Sequence, residues 1–586
     1  MCGIYGGFGP GTDWGSRSRY AQLIAHRGPD SSGFYYDELA CLGNTRLAIQ
    51  DLERGDQPFI SDDGQVVVVQ NGEIYNHQGL RNELKAAGAR FSTTCDTEVI
   101  LVAYQKMGLR FLSRLNGMFA IAIYDKRIGC LHLARDRLGV KPLFLCQRDG
   151  IAAFGSEIKV VLASSGEPPV LNQEALSDYL SFNYVPPPKT MFNNVRHVSP
   201  GTVVTLSLGE AKESRWWDMS QINAEFTEYS EDWEGEFNCL LNDATHLRSM
   251  ADVEVGAFLS GGLDSTSVVS AFRQVSDGPL EAFAIGFRDP RYNELPFAEA
   301  AASRFGVSLR SRIVEPDMLD RWGEAIYFCD QPHGDISFLP TRVVSEYASE
   351  SLKVVLTGDG GDELFAGYEK YLGFISDPGF AGVCDANFSA RYWPTLTLFS
   401  DTEKAELLGR NAYELPHSRR LIDRISEENA HQDIINRMLL IDIQLLLPGN
   451  NLVKPDRMGM SASIEARSPF LDYRMVEFAL RTSGAMKLDG SETKSCMKRA
   501  VLKRLGPELT YRKKQMFTVP VGDWFKNTRR DYCKMKLDGL KETGWVNPEF
   551  VDKIFEEHLA NKVNRTRELR ALVALQLWRS EFLSGE

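Results

Sequence analysis

A chain of 586 residues, 43% apolar and 25% charged, is too long for one compact core and too ordinary in composition for wholesale disorder, so two or more globular domains are expected. A formal net charge of −13 and a pI near 5.4 speak against a nucleic-acid partner held through its phosphates. Ten cysteines with no Cys-x-x-Cys pair and no Cys/His cluster at zinc spacing suggest neither a disulfide framework nor a metal centre, and Cys130, Cys146 and Cys329 read as small core residues.

In chain order, the N-terminus has no basic leader followed by a long apolar run, and no apolar stretch anywhere approaches roughly 18 residues. A cytoplasmic protein with no membrane contact is expected. The first 160 residues read mainly as strands between turns. Val66 to Val69 is a β-branched run ending at the turn signal Gln70-Asn71-Gly72. Helical patterns cover Gln78 to Ala87 and Glu98 to Lys106. Met118 to Tyr124 and Ile128 to Ala134 read as a hairpin about Asp125-Lys126-Arg127. This mixture predicts an α+β layered domain. Pro186-Pro187-Pro188 opens a connecting loop that runs to Gly201, and a polar segment near 208–232 reads as a linker. From Val253 the style changes. Val255 to Leu259, Glu281 to Gly286 and Lys353 to Leu356 are short apolar runs, each leading into a turn and a helical pattern. That alternation predicts a parallel sheet with helices on both faces. Beyond residue 375 the pattern is mostly helical, with Ile434 to Leu447 an apolar helix ended by Pro448-Gly449.

Two groups of residues carry chemistry. The chain begins Met1-Cys2-Gly3-Ile4. With Met1 removed, the free α-amine of Cys2 lies beside its own thiol and can serve as its general base. Arg46, after a Gly-Asn turn, can hold a carboxylate bidentately. Asn71 and Gly72 can offer an amide side chain and a backbone N–H to an oxyanion, and Asp96 can bind an ammonium group. Taken singly, each of these is more often a turn residue or a surface ion pair. Downstream, Leu259-Ser260-Gly261-Gly262-Leu263-Asp264-Ser265 joins a strand to a helix as a phosphate cradle of neither Walker nor dinucleotide type. A second acidic loop, Thr357-Gly358-Asp359-Gly360-Gly361-Asp362-Glu363, also follows a strand. Asp264 and Asp362 are the candidate ligands for a Mg²⁺ ion shared with phosphates at the carboxyl edge of the sheet.

Together, Cys2-Gly3-Ile4, His26-Arg27-Gly28-Pro29-Asp30, Arg46-Leu47-Ala48-Ile49, Asn71-Gly72-Glu73-Ile74-Tyr75-Asn76 and Cys95-Asp96-Thr97-Glu98 resemble the motifs of class II glutamine amidotransferases. The resemblance implies an N-terminal-nucleophile fold in which Cys2 attacks the glutamine amide. Asn71 and Gly72 would form the oxyanion hole, and Arg46, Ile49, Asn71, Glu73 and Asp96 would bind glutamine. His26 is expected to be structural. The two later loops, with Asp456-Arg457-Met458-Gly459-Met460, Ile464 to Asp472, Thr493-Lys494 and Arg512 to Phe517, resemble the ATP-pyrophosphatase domain of asparagine synthetases. That likeness implies ATP and Mg²⁺ as cofactors. Leu259, Ser260, Gly261, Gly262, Asp264, Ser265, Ile285, Thr357 and Gly358 would contact the nucleotide. Asp264 and Asp362 would hold the metal, and Lys494 and Asp359 would serve adenylate formation. Many such synthetases carry Glu where Asp359 stands. The expected organisation is an α+β layered glutaminase domain over 2–205, a linker over 206–235, and an α/β parallel-sheet synthetase domain with a helical C-terminal part over 236–586.

The resemblance further implies glutamine, ATP and aspartate as small-molecule partners, a homodimer, and an interdomain path for ammonia. Three other readings stay open: a relative that amidates another carboxylate such as a sugar acid or natural-product precursor, a non-catalytic regulatory relative, and a glutaminase with a vestigial second half. A β-lactam-forming relative is disfavoured because Cys2 and the glutaminase motifs are intact. Arg457 and Arg467 are each either an acceptor-binding group or a buried ion-pair partner.

Overall fold

The computed structural model describes residues 2–10, 17–148, 150–411, 414–512 and 519–583. Met1 and the Lys513 to Phe517 part of the last motif lie outside them. Strands are numbered in chain order. The first six are β1 (Cys2–Phe8), β2 (Ser31–Tyr36), β3 (Ala40–Arg46), β4 (Phe59–Ile60), β5 (Val66–Ile74) and β6 (Gly117–Asp125). The next six are β7 (Cys130–Arg135), β8 (Phe144–Arg148), β9 (Ile151–Gly155), β10 (Val195–His197), β11 (Thr202–Ser207) and β12 (Glu210–Arg215). They build two antiparallel six-stranded sheets, ordered β10-β8-β9-β1-β3-β2 and β12-β11-β7-β6-β5-β4.

The four-valine run shows how the layers form. Side chains alternate across a strand, so Val67 and Val69 enter the core between the sheets with Ile4, Phe8 and Leu42. Val66 and Val68 point the other way, onto Leu80 and Val99 of the helices His77–Ala86 and Asp96–Met107. The outer face of the first sheet is covered likewise, through Tyr5, Val160, Val161 and Leu176. The result is the expected layered sandwich, with helices outside two sheets.

Several local expectations change in the folded chain. Gln70-Asn71-Gly72 is not a turn, because β5 runs on to Ile74 and keeps its register with β6, Gly72 facing Phe119. Gly72 allows this at φ +149°, and a Cβ there would lie 2.0 Å from the Met118 carbonyl oxygen. Gly43-Asn44 is likewise held extended, paired on one side with β1 and on the other with β2. The polar segment expected as linker begins with β12, an edge strand whose six residues are all exposed. Charge on such a strand is what keeps an open sheet edge soluble. Cys130 is only partly buried, whereas Cys146 and Cys329 are core residues.

Five parallel strands follow: β13 (Val255–Phe258), β14 (Glu281–Phe287), β15 (Ser308–Val314), β16 (Val354–Leu356) and β17 (Glu465–Arg467). Their order is β15-β14-β13-β16-β17, with an apolar layer on each face. The chain reverses direction across the sheet between β13 and β16, which makes their carboxyl ends the place where such folds bind ligands. β17 is unexpected, since Glu-Ala-Arg has no strand signal. It forms because its two charges find buried partners.

The apolar helix does not stop at Pro448-Gly449. Ile434–Ile441 passes into a π-helical run, Asp442–Asn451, in which the Leu452 N–H reaches back five residues to Leu447 O at 2.8 Å. The wider turn carries the proline inside the helix. The two halves share a continuous core, in which Phe192 meets Trp578 of the last helix, Thr566–Phe582, at a ring separation of 5.4 Å.

Candidate active site

The first site forms where β1 begins. The Cys2 main-chain nitrogen donates to Asn71 Oδ1 at 3.3 Å, and Asn71 Nδ2 donates to Ser156 Oγ at 3.3 Å. Ser156 also accepts from the Ile4 N–H at 3.0 Å, which fixes the amide relative to the strand. The Gln57 side-chain nitrogen stands 3.9 Å from Cys2 Sγ, and Gln57 Oε1 accepts from the Gln70 N–H at 2.6 Å. Neither Ser156 nor Gln57 has any local sequence signal, and only the tertiary arrangement brings them to the thiol. Cys2 is 5% exposed.

Arg46 is the β3 partner of Cys2. Its fork is closed by the carbonyls of Gln50 (3.0 Å), Asp51 (2.7 Å) and Leu52 (3.3 Å), with the Asp56 carboxylate on Nη1 at 2.9 Å. The outer acceptor, Asp56, is itself a carboxylate and is exposed. Ile49 packs with Leu47, Tyr75 and Met460 in a small apolar seam between the halves. Asp96 opens the helix Asp96–Met107 and accepts from the Ile74 N–H at 2.9 Å and Gln70 Nε2 at 3.1 Å. Burial and the nearby Asp96 carboxylate hold the Glu73 carboxyl above its usual range, against the pull of Arg467.

Charged residues tie this site to the second half. Arg27 is fully buried. Its Nε donates to the Cys2 carbonyl at 3.3 Å and its fork holds Asp456 through two 3.0 Å bonds. His26 bonds Glu157 at 3.0 Å and packs edge-on to Phe328. Glu157 also receives Arg457 at 3.1 Å. Arg457 and Arg467 are 3% and 0% exposed and lie in ion pairs, and Arg457 also lines a cavity. Buried pairs of this kind lose about 3–5 kcal/mol when one member is removed.

The second site lies at the carboxyl ends of β13 and β16. Ser260 Oγ is 3.2 Å from Ser265 Oγ and accepts from the Gly262 N–H at 3.2 Å. This places the loop against the N-terminus of the helix Leu263–Val275, where unpaired N–H groups favour anions. Gly358 packs directly on Asp264 and Ser265, so the two loops meet. Lys494 Nζ lies 2.6 Å from both oxygens of Asp264 and 2.6 Å from Asp362 Oδ1. Burial works against the ammonium, but the two carboxylates hold its pKa above the ordinary lysine value. Lys494 has φ +55°, a conformation that costs a non-glycine residue about 1–2 kcal/mol and is typical of functional positions.

Thr357 Oγ1 donates to Asp359 at 2.7 Å, and burial keeps the Asp359 carboxyl above its usual range. Leu259 follows the end of β13, whereas Ile285 lies inside β14, and their side chains join different apolar layers. Arg512, which the sequence offers only as part of a motif, braces the first loop through Gly261 O at 2.8 Å and Glu294 at 2.8 Å. Among the described residues, two adjoining cavities lie beside the second site. They abut at Val140, Leu452 and Asp456, the first being lined also by Phe144 and Cys329 and the second reaching Thr357 and Asp359.

Comparison with known proteins gives a consistent pattern. The Asparagine synthase family matches residues 236–580, and the Glutamine amidotransferase domain family matches residues 1–217. Asparagine synthetase [glutamine-hydrolyzing] 1 of Bacillus subtilis is 30% identical, covering 95% of this chain and 92% of that protein. A putative asparagine synthetase [glutamine-hydrolyzing] of Mycobacterium bovis is 30% identical over 100% of this chain and 97% of its own. Amidase chyE of Penicillium rubens is also 30% identical, but over 67% of this chain and 59% of that protein.

Proposed function

Because the chain belongs to the asparagine synthase family, whose members are glutamine-hydrolysing ligases, we propose that it converts ATP, aspartate and glutamine into asparagine, glutamate, AMP and pyrophosphate. The observation that carries the reading is Lys494 bridging Asp264 and Asp362 beside the Ser260 loop. Two converged carboxylates, a lysine and a helix N-terminus at one sheet edge suit a nucleotide whose phosphates bring charge of their own.

In the first half, the Cys2 α-amine takes the thiol proton and the sulfur attacks the glutamine amide carbon. Asn71 Nδ2 and the Gly72 N–H stabilise the oxyanion. Ammonia leaves with the proton, and water later hydrolyses the glutamyl thioester to glutamate. Arg46, Ile49, Glu73 and Asp96 hold the substrate. In the second half, a carboxylate oxygen of aspartate attacks the α-phosphorus of ATP and pyrophosphate leaves. Ammonia then attacks the acyl carbon, and AMP departs with the bonding pair. Leu259, Ile285, Thr357 and Gly358 border the nucleotide, and Lys494 and Asp359 attend adenylate formation.

Asp264 and Asp362 fit a Mg²⁺ ion. Both carboxylates already converge on one cationic group, and a phosphate-bound ion needs only one or two from the protein. When bound, that ion neutralises phosphate charge. In this reading ammonia passes to the second site, which the second cavity reaches at Thr357 and Asp359, sheltered from bulk water, where it would be protonated. We assign residues 236–586 to the synthetase part, and the glutaminase part runs past the expected boundary at 205 through β12, the edge strand of its second sheet. No helix among the described residues is long and apolar enough to cross a membrane, which accords with work in the cytoplasm; a homodimer is part of the same proposal.

The test is product analysis. With glutamine, ATP and Mg²⁺, adding aspartate is expected to yield asparagine and AMP in equal amounts. Glutamate without asparagine or AMP would leave the glutaminase standing and reject aspartate. The likeness to Amidase chyE makes another carboxylate the second reading in that case. A narrower prediction concerns Gly367, where a Cβ would fall 1.9 Å from Asp362 Oδ1 and 2.2 Å from Lys494 Cε. Gly367→Ala is expected to slow AMP formation on the order of 100-fold by displacing those groups, with glutamate release from glutamine unchanged.

A further inference from the structure

Glu73, two residues along β5 from Asn71, is 3% exposed, and its two oxygens are treated differently. Oε2 receives Arg467 Nη2 at 3.2 Å, while Oε1 is buried and has no hydrogen-bond partner among the described residues. A carboxylate oxygen in that condition is costly unless a ligand supplies the missing donor. Arg467 comes from the other half of the chain and is itself held on every side. Its Nε bonds Glu465 at 2.5 Å, and its Nη1 bonds the carbonyls of Arg248 at 3.0 Å and Met250 at 2.8 Å. Its guanidinium lies 5.6 Å from the Tyr75 ring centroid.

We propose that Arg467 is a positioning residue of the glutamine site, reaching across from the parallel-sheet half to fix Glu73 so that its free oxygen meets the α-ammonium of glutamine. This rests on the reading of Glu73 as a glutamine ligand. A rigid arginine fork sets the direction of a carboxylate as well as its charge. The same strand also serves the second site: the Arg467 carbonyl accepts from the Thr357 N–H at 2.9 Å, and Ser468 Oγ donates to Asp359 O at 2.5 Å. The glutamine site is therefore completed only when β17 is in place beside β16. Affinity for glutamine depends on the synthetase half even when no ATP is bound.

The experiment measures glutamate release from glutamine by the full chain, without ATP or aspartate. Arg467→Gln is expected to raise KM for glutamine about tenfold, with kcat within about threefold, because Glu73 grips the α-ammonium equally in ground and transition states. Arg467→Lys, which keeps the charge but not the fork, is expected to recover part of the affinity. Glu73→Gln should raise KM as well, and adding Arg467→Gln to it should have no further effect, the signature of one residue acting through another. An unchanged KM in folded Arg467→Gln, or effects that multiply in the double variant, would overturn the proposal. If Glu73→Gln alone leaves KM unchanged, the reading of Glu73 fails first and the inference falls with it. Should Arg467→Gln fail to fold, as judged by circular dichroism, Arg467→Lys decides: a KM at the parent value would reject the role of the fork.

Discussion

Cys2→Ala is expected to abolish glutamine-dependent synthesis while ammonium-dependent synthesis continues. In the proposed reaction the thiol, which lies between Asn71 and Gln57, is the nucleophile, so its loss should lower glutamate release on the order of 10³-fold or more. Fold and second site should be little affected. The Cys2 nitrogen and carbonyl, which bond Asn71 and Arg27, are main-chain groups that alanine keeps. The shortened side chain removes one sulfur from a buried position, a cost of about 1–2 kcal/mol. The measurement is asparagine and AMP formation with glutamine or with ammonium chloride as nitrogen source. Loss of both activities would mean that Cys2 supports the fold or the second site and is not simply the glutaminase nucleophile.

Lys494→Met should give the opposite division. Methionine keeps the volume and removes the ammonium that lies 2.6 Å from Asp264 and Asp362. Loss of one preorganised charge at a transferring phosphoryl group is expected to slow AMP formation on the order of 10²–10³-fold, with glutamate release from glutamine retained. Two facing carboxylates without their cation also repel, so the variant should melt below the parent and be restored in part by Mg²⁺ with ATP. Because its partners hold Lys494 above the ordinary lysine range, it stays charged at every working pH. The stability it provides is complete below the unfolded lysine pKa and is lost only as pH rises through the higher folded value. AMP formation that is undiminished in Lys494→Met would remove this residue from the chemistry.

The architecture was legible in the residues themselves, and the reason is visible in the two kinds of strand. The four-valine run and the apolar runs at 255–259 and 281–286 have two buried faces, so their composition alone declares them. Local form was equally legible where a short spacing dictates it. Ser260 to Ser265 must be a loop followed by a helix N-terminus, and Cys2 must be next to an amine. Asn71-Gly72 showed the limit: as a dipeptide it reads as a turn, yet the ladder to β6 keeps it extended. β17 showed the same limit from the other side, for no propensity makes Glu-Ala-Arg a buried strand.

The sequence by itself determined that a glutamine amidotransferase domain and an asparagine synthase domain occupy one chain, and in which order. Those facts depend on short stretches of backbone and on residue types that few other reactions require. Only the tertiary structure decided how the two are joined. Arg27 to Asp456, Glu157 to Arg457 and Glu73 to Arg467 pair residues hundreds of positions apart, and a charged residue looks the same in sequence whether it meets water or a buried partner. Its role depends on desolvation, and desolvation is a property of the packed chain.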